Sequence, residues 1–529
     1  MIAVVAPLSS LFISCFVMML GFGLAGLLMP VRMTAEGVPT ESMGMILAMY
    51  AVGMLIGGNY SRLLIGRVGH IRIFAASAAL AGIAVLVCSL TMNPWVWGGM
   101  RMLMGLSIAC SLAVIDGWLS DVADESNRGR ILATNQVVIT LGFFVSQFLL
   151  NLAPVKEMTL FVLGGILMAL ALLPLVMSRR TGPVIAEMSS MSYRQLIQAS
   201  PLGVACTAFC GVLYGALINM LPVYADHYEI SGLALSVFMA SAMLGAFILQ
   251  YPIGLLSDRF DRRTILLYLL LVCFGVTLLT PMLAEGGLIY PMMAGVAIIT
   301  GIISCLYPMG ISETFDRIQR SQAASAMGGL LTIYALGYIV GPLSSSYFMG
   351  VFGTESLFNF ILLAQVLLLL FVIYRMQARS ALPVDEQEPY VPQQAIVVDS
   401  AVELDPRTQA SVELNEEDEE ASALVELAED NPAHAMNMLK DLADTSIEDL
   451  PAYCATLAQV EGVDIVRLYK AISAEIDSAE LEEEILYQLM VQLPTQMQPM
   501  IDWLLDEQPA RLGRVTNRLL DDRTRQPDE

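Results

Sequence analysis

Long apolar runs recur through the first 380 residues and constrain the fold more than any other feature of the chain. A helix needs about 20 consecutive apolar residues to cross the hydrocarbon core of a bilayer. Only 15% of the residues are charged, which is well below the share typical of soluble domains. Each run therefore predicts a membrane-spanning helix. The twelve predicted spans cover approximately residues 8–30, 43–65, 72–92, 95–116, 130–151, 158–178, 201–223, 233–256, 264–284, 288–310, 322–345 and 355–375.

The basic residues between the spans predict the topology, because cytoplasmic loops are enriched in Lys and Arg. With the N-terminus inside, fifteen basic residues from Arg62 to Arg379 fall on the inner side, and only Arg32 and Lys156 fall on the outer side. We therefore expect both termini in the cytoplasm and residence in the inner or plasma membrane. The first run has no basic leading segment, which favours an uncleaved span over a signal peptide.

A polar stretch at residues 179–200 predicts a cytoplasmic connector between two sets of six spans. The predicted fold class is all-α, with an N-terminal six-helix membrane half (1–178), a C-terminal six-helix half (201–378) and a small soluble helical bundle after them. The loops after spans two and eight occupy corresponding places, and both are short, basic and rich in turn residues. Two matched halves are typical of secondary transporters that bind a solute near the bilayer midplane.

The loop after span eight resembles a motif of the major facilitator superfamily. Residues 254–263 follow its G-x-L-x-D-R-x-G-R-R pattern, with Asp261 in place of the usual glycine. The copy after span two is degraded, since Gly66 replaces the aspartate. Arg101–Gly105 is similar to the R-x-x-x-G of span four, and Gly337–Pro342 is similar to the G-x-x-x-G-P of the gating helix, which is span eleven here.

Further stretches resemble the YcaD-type branch of that superfamily, which usually carries glutamate where Asp116 stands. The resemblance covers residues 1–380 and implies a secondary transporter that works by alternating access. Substrates in this branch are mostly unassigned, so the resemblance names no solute. The stretches are Asp116–Leu119 with Asn127–Ala133, Tyr214–Gly215 before Leu221–Tyr224, and Gln250–Gly254.

Polar groups inside the spans are the candidates for a substrate cavity or for ion coupling, because an ionisable group in a bilayer costs several kcal/mol unless it is paired or hydrated. Arg101 either faces a cavity or has a structural role. In a cavity it attracts an anion or pairs with an acid that exchanges protons; otherwise its side chain extends to the membrane interface or forms a structural ion pair. The neutral groups either line the cavity or join helices. The candidates are Arg101, Asp116, Gln147, Tyr214, Asn219, Gln250, Tyr307 and Tyr334.

The resemblance further implies a cytoplasmic gate. Acids at the inner ends of spans four and ten, Asp116 and Glu313, are expected to pair with loop arginines, and Asp258 is expected to face the start of span eleven. The gating helix is marked by Gly337, Gly341 and Pro342; Gly341 and Pro342 either weaken it, so that it bends during gating, or mark its end. The predicted gate comprises Arg67, Arg72, Gly254, Asp258, Arg259, Arg262, Arg263 and Glu313.

The formal net charge of -23 arises in the tail, because residues 1–380 carry 18 basic and 16 acidic side chains while residues 381–529 carry 9 and 34. Residues 379–421 predict an acidic flexible linker, and residues 422–529 predict a bundle of five or six short amphipathic helices. The acidity argues against nucleic acid and anionic lipid as partners and leaves a regulatory or protein-docking domain. The basic residues near the end either fold back onto an acidic surface or form a solvated face: Arg511, Arg514, Arg518, Arg523 and Arg525.

Together these patterns predict a secondary transporter of a small organic solute in a lipid bilayer, with protons as the default coupling ion. The alternative is a non-transporting membrane sensor or partner subunit whose cytoplasmic tail binds another protein. No catalytic constellation is recognisable, so an enzyme is not predicted, and no cofactor is implied. The eight cysteines include no Cys-x-x-Cys pair and the three histidines are scattered, so no metal site is predicted.

Overall fold

The computed structural model describes residues 8–121, 128–176, 191–319, 322–378, 387, 390–391, 466, 469–470, 479–492, 498–508, 511–516 and 518. Regular secondary structure within these ranges is helical throughout. The chain forms two compact units, residues 1–412 and 413–529. Most of the predicted linker (379–421) and of the predicted bundle (422–529) lies outside the described residues, so those boundaries stay predictions.

Eleven helices of the described part are long and apolar enough to cross a membrane. A shorter apolar helix occupies the place of predicted span six, so the prediction of an all-α fold with twelve spans is confirmed. Span eight is interrupted at Leu249. In chain order the spans are Ser9–Ala35, Thr40–Val68, His70–Leu90, Pro94–Asp121, Arg128–Leu149, Thr159–Val176, Pro201–His227, Gly232–Ile248 continued by Gln250–Arg259, Arg262–Glu285, Ile289–Phe315, Ala323–Phe352 and Leu357–Ala378.

Spans two and four are in backbone contact because glycines stand where they cross. A methyl group at Gly53 would overlap the carbonyl oxygen of Met102, and one at Gly105 would overlap the carbonyl oxygen of Tyr50. Small residues at a crossing allow helices in a membrane to gain close van der Waals packing. The two glycines therefore fix the spacing between spans two and four.

Spans seven and eleven form another close contact, within the second half. A methyl group at Gly337 would overlap the carbonyl oxygen of Ala208, and one at Gly341 would overlap that of Val212. Pro342 follows within span eleven, which is helical on both sides of it. The glycines of the predicted gating helix thus serve close helix packing in this structure.

The two halves meet at the end of the bundle where span two begins, which we call the predicted outer end. The Ser236 hydroxyl donates to the Gln147 carbonyl oxygen over 2.7 Å, and the Asn151 amide donates to the Ser236 hydroxyl over 2.7 Å. A methyl group at Gly44 of span two would overlap the hydroxyl of Ser346 in span eleven. The halves are therefore closed against each other at the predicted outer end.

The described part of the C-terminal unit includes the helices Ala479–Gln492 and Gln498–Glu507. The buried Tyr469 ring packs edge-on against Trp503, with 6.0 Å between ring centres. Three arginines pair with three consecutive glutamates, so fold-back onto an acidic surface is confirmed for them, while Arg523 and Arg525 lie outside the described residues. The pairs are Arg511 with Glu482, Arg514 with Glu483 and Arg518 with Glu484.

Candidate functional site

The guanidinium of Arg101 is buried between helices and has no carboxylate partner among the residues that the structure describes. Arg101 is 4% exposed, and its guanidinium carbon lies 4.9 Å from the centre of the Tyr50 ring. Within the described residues it forms neither a hydrogen bond nor a salt bridge. A cation–π contact contributes about 0.5–2 kcal/mol, whereas removing an ion from water costs several kcal/mol. The ring contact alone therefore does not compensate the charge.

Tyr338 of span eleven faces the same charge from the second half. It interacts electrostatically with Arg101, and its hydroxyl accepts a hydrogen bond of 3.2 Å from the Asn219 amide. Tyr50 and Tyr338 are both partly exposed, so they border open space. More tyrosine rings continue from Tyr338, at centre-to-centre distances of 6.5 Å for Tyr214, 6.0 Å for Tyr334 and then 5.0 Å from Tyr334 to Tyr307.

Five of the eight predicted cavity residues come together in this cluster, namely Arg101, Tyr214, Asn219, Tyr307 and Tyr334. The sequence does not single out Tyr50 and Tyr338, which complete it. A neutral aromatic residue in a span carries no unpaired charge and therefore gives no signal by itself. Tyr338 follows the motif glycine Gly337 in the sequence, whereas Tyr50 meets the motif glycine Gly105 only in the folded structure.

The other three candidates lie elsewhere in the bundle. The Asp116 carboxylate accepts a 3.3 Å hydrogen bond from Asn135, and Asp116 follows Arg101 by roughly 22 Å along the same helix. The Gln147 side chain donates to the Phe143 carbonyl oxygen over 2.9 Å, and Gln250 is buried where span eight is interrupted. Within the described residues, no group of three or more His, Cys, Asp or Glu is placed to hold a metal ion.

Buried ion pairs brace the predicted inner end of the second half. Glu313 receives Arg263 at 2.9 Å and Arg317 at 3.0 Å, and Arg262 pairs with Asp316. The expected pairing of Glu313 with Arg263 is therefore present, and it joins spans nine and ten of one half. Arg67 and Arg72 of the first gate loop are exposed and form no ion pair within the described residues, contrary to expectation. Arg259 of the second gate loop is also exposed.

The two aspartates of the second gate loop have separate partners. Asp261 accepts a 3.0 Å hydrogen bond from the backbone N–H of Thr264 and so caps span nine, which explains an aspartate where the motif usually has glycine. Asp258 accepts a 2.8 Å hydrogen bond from the backbone N–H of Tyr390. Span eleven begins after Gln322 without a side-chain cap. In this structure Asp258 is thus engaged by Tyr390, and its expected orientation towards the start of span eleven stays a prediction.

Comparison with known proteins assigns the family. The sequence profile of the Major Facilitator Superfamily matches residues 11–239 and 203–406. The chain belongs to the Major Facilitator Superfamily. An uncharacterized MFS-type transporter from Yersinia pestis is 28% identical over 369 residues, which cover 69% of this chain and 92% of the relative. The uncharacterized MFS-type transporter YcaD from Escherichia fergusonii is 24% identical over 372 residues, which cover 69% of this chain and 95% of the relative.

Solved structures of superfamily transporters share the fold. A bacterial homolog of the human lysosomal transporter Spinster, in an inward-facing and occupied conformation, aligns with a TM-score of 0.60 at 14% identity, covering 73% of this chain and 98% of that one. The nucleoside transporter NupG aligns with a TM-score of 0.56 at 13% identity, and the alignment covers 70% of this chain and 100% of NupG. The predicted resemblance to the YcaD-type branch is confirmed, and this superfamily member is a membrane transporter.

Proposed function

We propose that this superfamily member is a secondary active transporter that carries a small organic anion across the inner membrane by alternating access. The observation that supports the anion is the uncompensated charge of Arg101, which is 4% exposed and lacks a carboxylate partner among the described residues. A carboxylate or phosphate group of a solute fits this guanidinium, because both groups accept two parallel hydrogen bonds from it. Binding of the solute offsets the cost of keeping the cation buried.

The surrounding rings favour a solute with an apolar or ring-shaped body. Tyr50 belongs to the first half and Tyr338 to the second, and both are partly exposed. Asn219 and the Tyr338 hydroxyl offer hydrogen bonds to polar atoms of the same solute. A solute held between the two halves binds their alternative arrangements unequally, which is the requirement for coupling its binding to their movement.

Protons complete the proposal as the coupling ion. Asp116 is a buried carboxyl group on the helix that carries Arg101, and its hydrogen bond to Asn135 is compatible with either protonation state. The location in the inner membrane with cytoplasmic termini is supported by the distribution of basic residues between the spans. A regulatory or docking role for the C-terminal unit is supported by its acidity and by the end of the superfamily match at residue 406.

Uptake into proteoliposomes by purified variants tests the function. A panel of small carboxylates and organic phosphates is offered under an imposed proton gradient. We expect flux of at least one anion with the native protein, near-complete loss with Arg101→Gln and a large loss with Arg101→Lys, because lysine lacks the planar pair of donors. Lys156→Gln, which removes an exposed cation, is the matched control and keeps the native rate. Flux that persists in Arg101→Gln contradicts the anion site.

The same vesicles test the coupling ion and the alternative function. Asp116→Asn is expected to abolish the dependence of the rate on pH and on uncouplers. The sensor alternative is favoured by the exposed Arg67 and Arg72 of the first gate loop, which form no ion pair with any described residue. It predicts no flux for any anion, together with a cytoplasmic protein that co-purifies with the native chain and is lost on deletion of residues 413–529.

A further inference from the structure

Tyr390 lies beyond span twelve in the sequence, yet its ring is buried in the second membrane half, with 7% exposure. A methyl group at Gly254 of span eight would overlap the ring. The side chain also interacts with the thiol of Cys305 in span ten, and the backbone N–H donates to Asp258 over 2.8 Å. One residue therefore contacts span eight, span ten and the gate loop.

The ring fills a space that the helices themselves leave open. Nearer the predicted outer end, spans eight and ten are in direct contact, since a methyl group at Gly245 would overlap the carbonyl oxygen of Ala297. At Gly254 the neighbouring atoms belong to Tyr390 instead of span ten. Val391 packs beside Tyr390 against the same apolar core. The contact is thus a packed joint with an apolar part and one hydrogen bond.

The sequence around Tyr390 is suited to docking and release. Prolines stand at positions 389 and 392, one before Tyr390 and one after Val391. Proline restricts the free chain, so less conformational entropy is lost when the segment docks. Tyr390 also precedes the C-terminal unit that begins at Glu413, so the chain that continues from the joint leads to that unit.

We propose that Tyr390 is a removable stop for the cytoplasmic gate: while it is docked, the inner ends of the two halves do not close. In the present structure the halves are closed at the predicted outer end, so the inner ends must close in the other stage of an alternating-access cycle. The docked residue occupies one carboxylate oxygen of Asp258 and covers the face of Gly254, which are both parts of the gate loop. The face of Gly254 is not available to the opposite half until Tyr390 leaves, and one of the two Asp258 oxygens is already engaged. The stop depends on the transporter fold and not on the identity of the solute.

Labelling of Cys305 measures the docking directly. Cys305 is fully buried, so a membrane-impermeant maleimide reaches it only when Tyr390 is out of its site. In full-length protein in nanodiscs, followed by mass spectrometry, Tyr390→Ala is expected to raise its labelling rate by about tenfold or more, since reaction at a buried site follows the population of the open form. Tyr390→Phe retains the ring and stays near the native rate, and Cys206 in span seven is the internal reference. Equal labelling rates of Cys305 in the native and Tyr390→Ala proteins would show that Tyr390 does not cover Cys305, and the proposed docking would be wrong.

The distance between the halves at the inner end measures the stop. Spin labels at Val68 and Phe260, which are exposed at the predicted inner ends of spans two and eight, report this distance without a solute. Tyr390→Ala is expected to add a population with a shorter distance, and Tyr390→Phe is expected to add much less. If Cys305 becomes reactive in Tyr390→Ala while the distance distribution is unchanged, Tyr390 packs the helices but does not stop the gate, and the proposal is wrong. Neither the labelling of Cys305 nor the distance between the spin labels depends on whether the protein transports an anion.

Discussion

Gly105 lies against the backbone carbonyl group of Tyr50, one helical turn from Arg101. A side chain at position 105 would push span two away from span four. Because there is none, the Tyr50 ring reaches to within 4.9 Å of the guanidinium carbon. The arginine and the glycine of the R-x-x-x-G pattern thus act together, since the glycine places the aromatic face on which the charge lies.

Gly105→Ala is expected to weaken both the fold and the Arg101 site. The added methyl group meets backbone atoms that cannot rotate away, and overpacking of this kind costs about 1–3 kcal/mol. Thermal unfolding in detergent and the affinity for the transported anion measure the two effects. Gly99→Ala is the matched control, because Gly99 lies on the same helix with no atom near its added methyl group. If both variants behave alike, the close approach does not set the site.

The fold was predictable because the bilayer imposes a simple rule on length and polarity. Every apolar run became a helix near its predicted position, and the two-half arrangement is reproduced in the glycine contacts at Gly105, between spans two and four, and at Gly245, between spans eight and ten. Single charges in spans were equally visible, so the sequence singles out Arg101 as a site candidate, and the structure places it beside Tyr50 and Tyr338. The tyrosines around it were only partly found, because their importance depends on which helices cross.

Partners that lie far apart in sequence could not be predicted. The carboxylates of the second gate loop illustrate this, since Asp261 caps its own helix while Asp258 binds a residue 132 positions away. Spacing alone does not distinguish these two roles. The same limit applies to Asp116, which accepts a hydrogen bond from Asn135, 19 positions away.

Gly44→Ala is expected to open the predicted outer end. Its methyl group would overlap the Ser346 side chain and approach the carbonyl oxygen of Pro342, and both belong to the opposite half. The closed arrangement is then destabilised by about 1–3 kcal/mol, while an arrangement with separated halves is not. Spin labels at the exposed Met158 and Tyr290 should report a longer distance.

Gly26→Ala serves as the control for this variant, because Gly26 has no atom within 4 Å of an added methyl group. Its distance distribution should match that of the native protein. A distribution for Gly44→Ala that also matches would show that the contact with Ser346 does not hold the outer end closed.

Glu313→Gln is expected to destabilise the second half strongly. The substitution leaves the Arg263 and Arg317 guanidinium groups without their carboxylate in a site where both side chains are 5–6% exposed. Removing one partner of a buried ion pair costs about 3–5 kcal/mol. Chemical unfolding in detergent measures the loss, with Glu157→Gln as an exposed control. A loss below about 1 kcal/mol, the range of surface pairs, would mean that water already reaches the pair.

Arg511→Gln is expected to loosen the described helices of the C-terminal unit, whereas Arg514→Gln is not. Arg511 pairs with Glu482, which is 8% exposed, and also donates to the Tyr469 hydroxyl over 3.2 Å. Its loss removes the arginine partner from a buried carboxylate. Arg514 pairs with Glu483 at the surface and is 57% exposed, so its pair contributes about 0–1 kcal/mol. Hydrogen–deuterium exchange of the full-length chain should therefore be faster across Ala479–Gln492 in Arg511→Gln only. Equal exchange in the two variants would mean that the Arg511–Glu482 pair contributes as little to stability as the exposed Arg514–Glu483 pair.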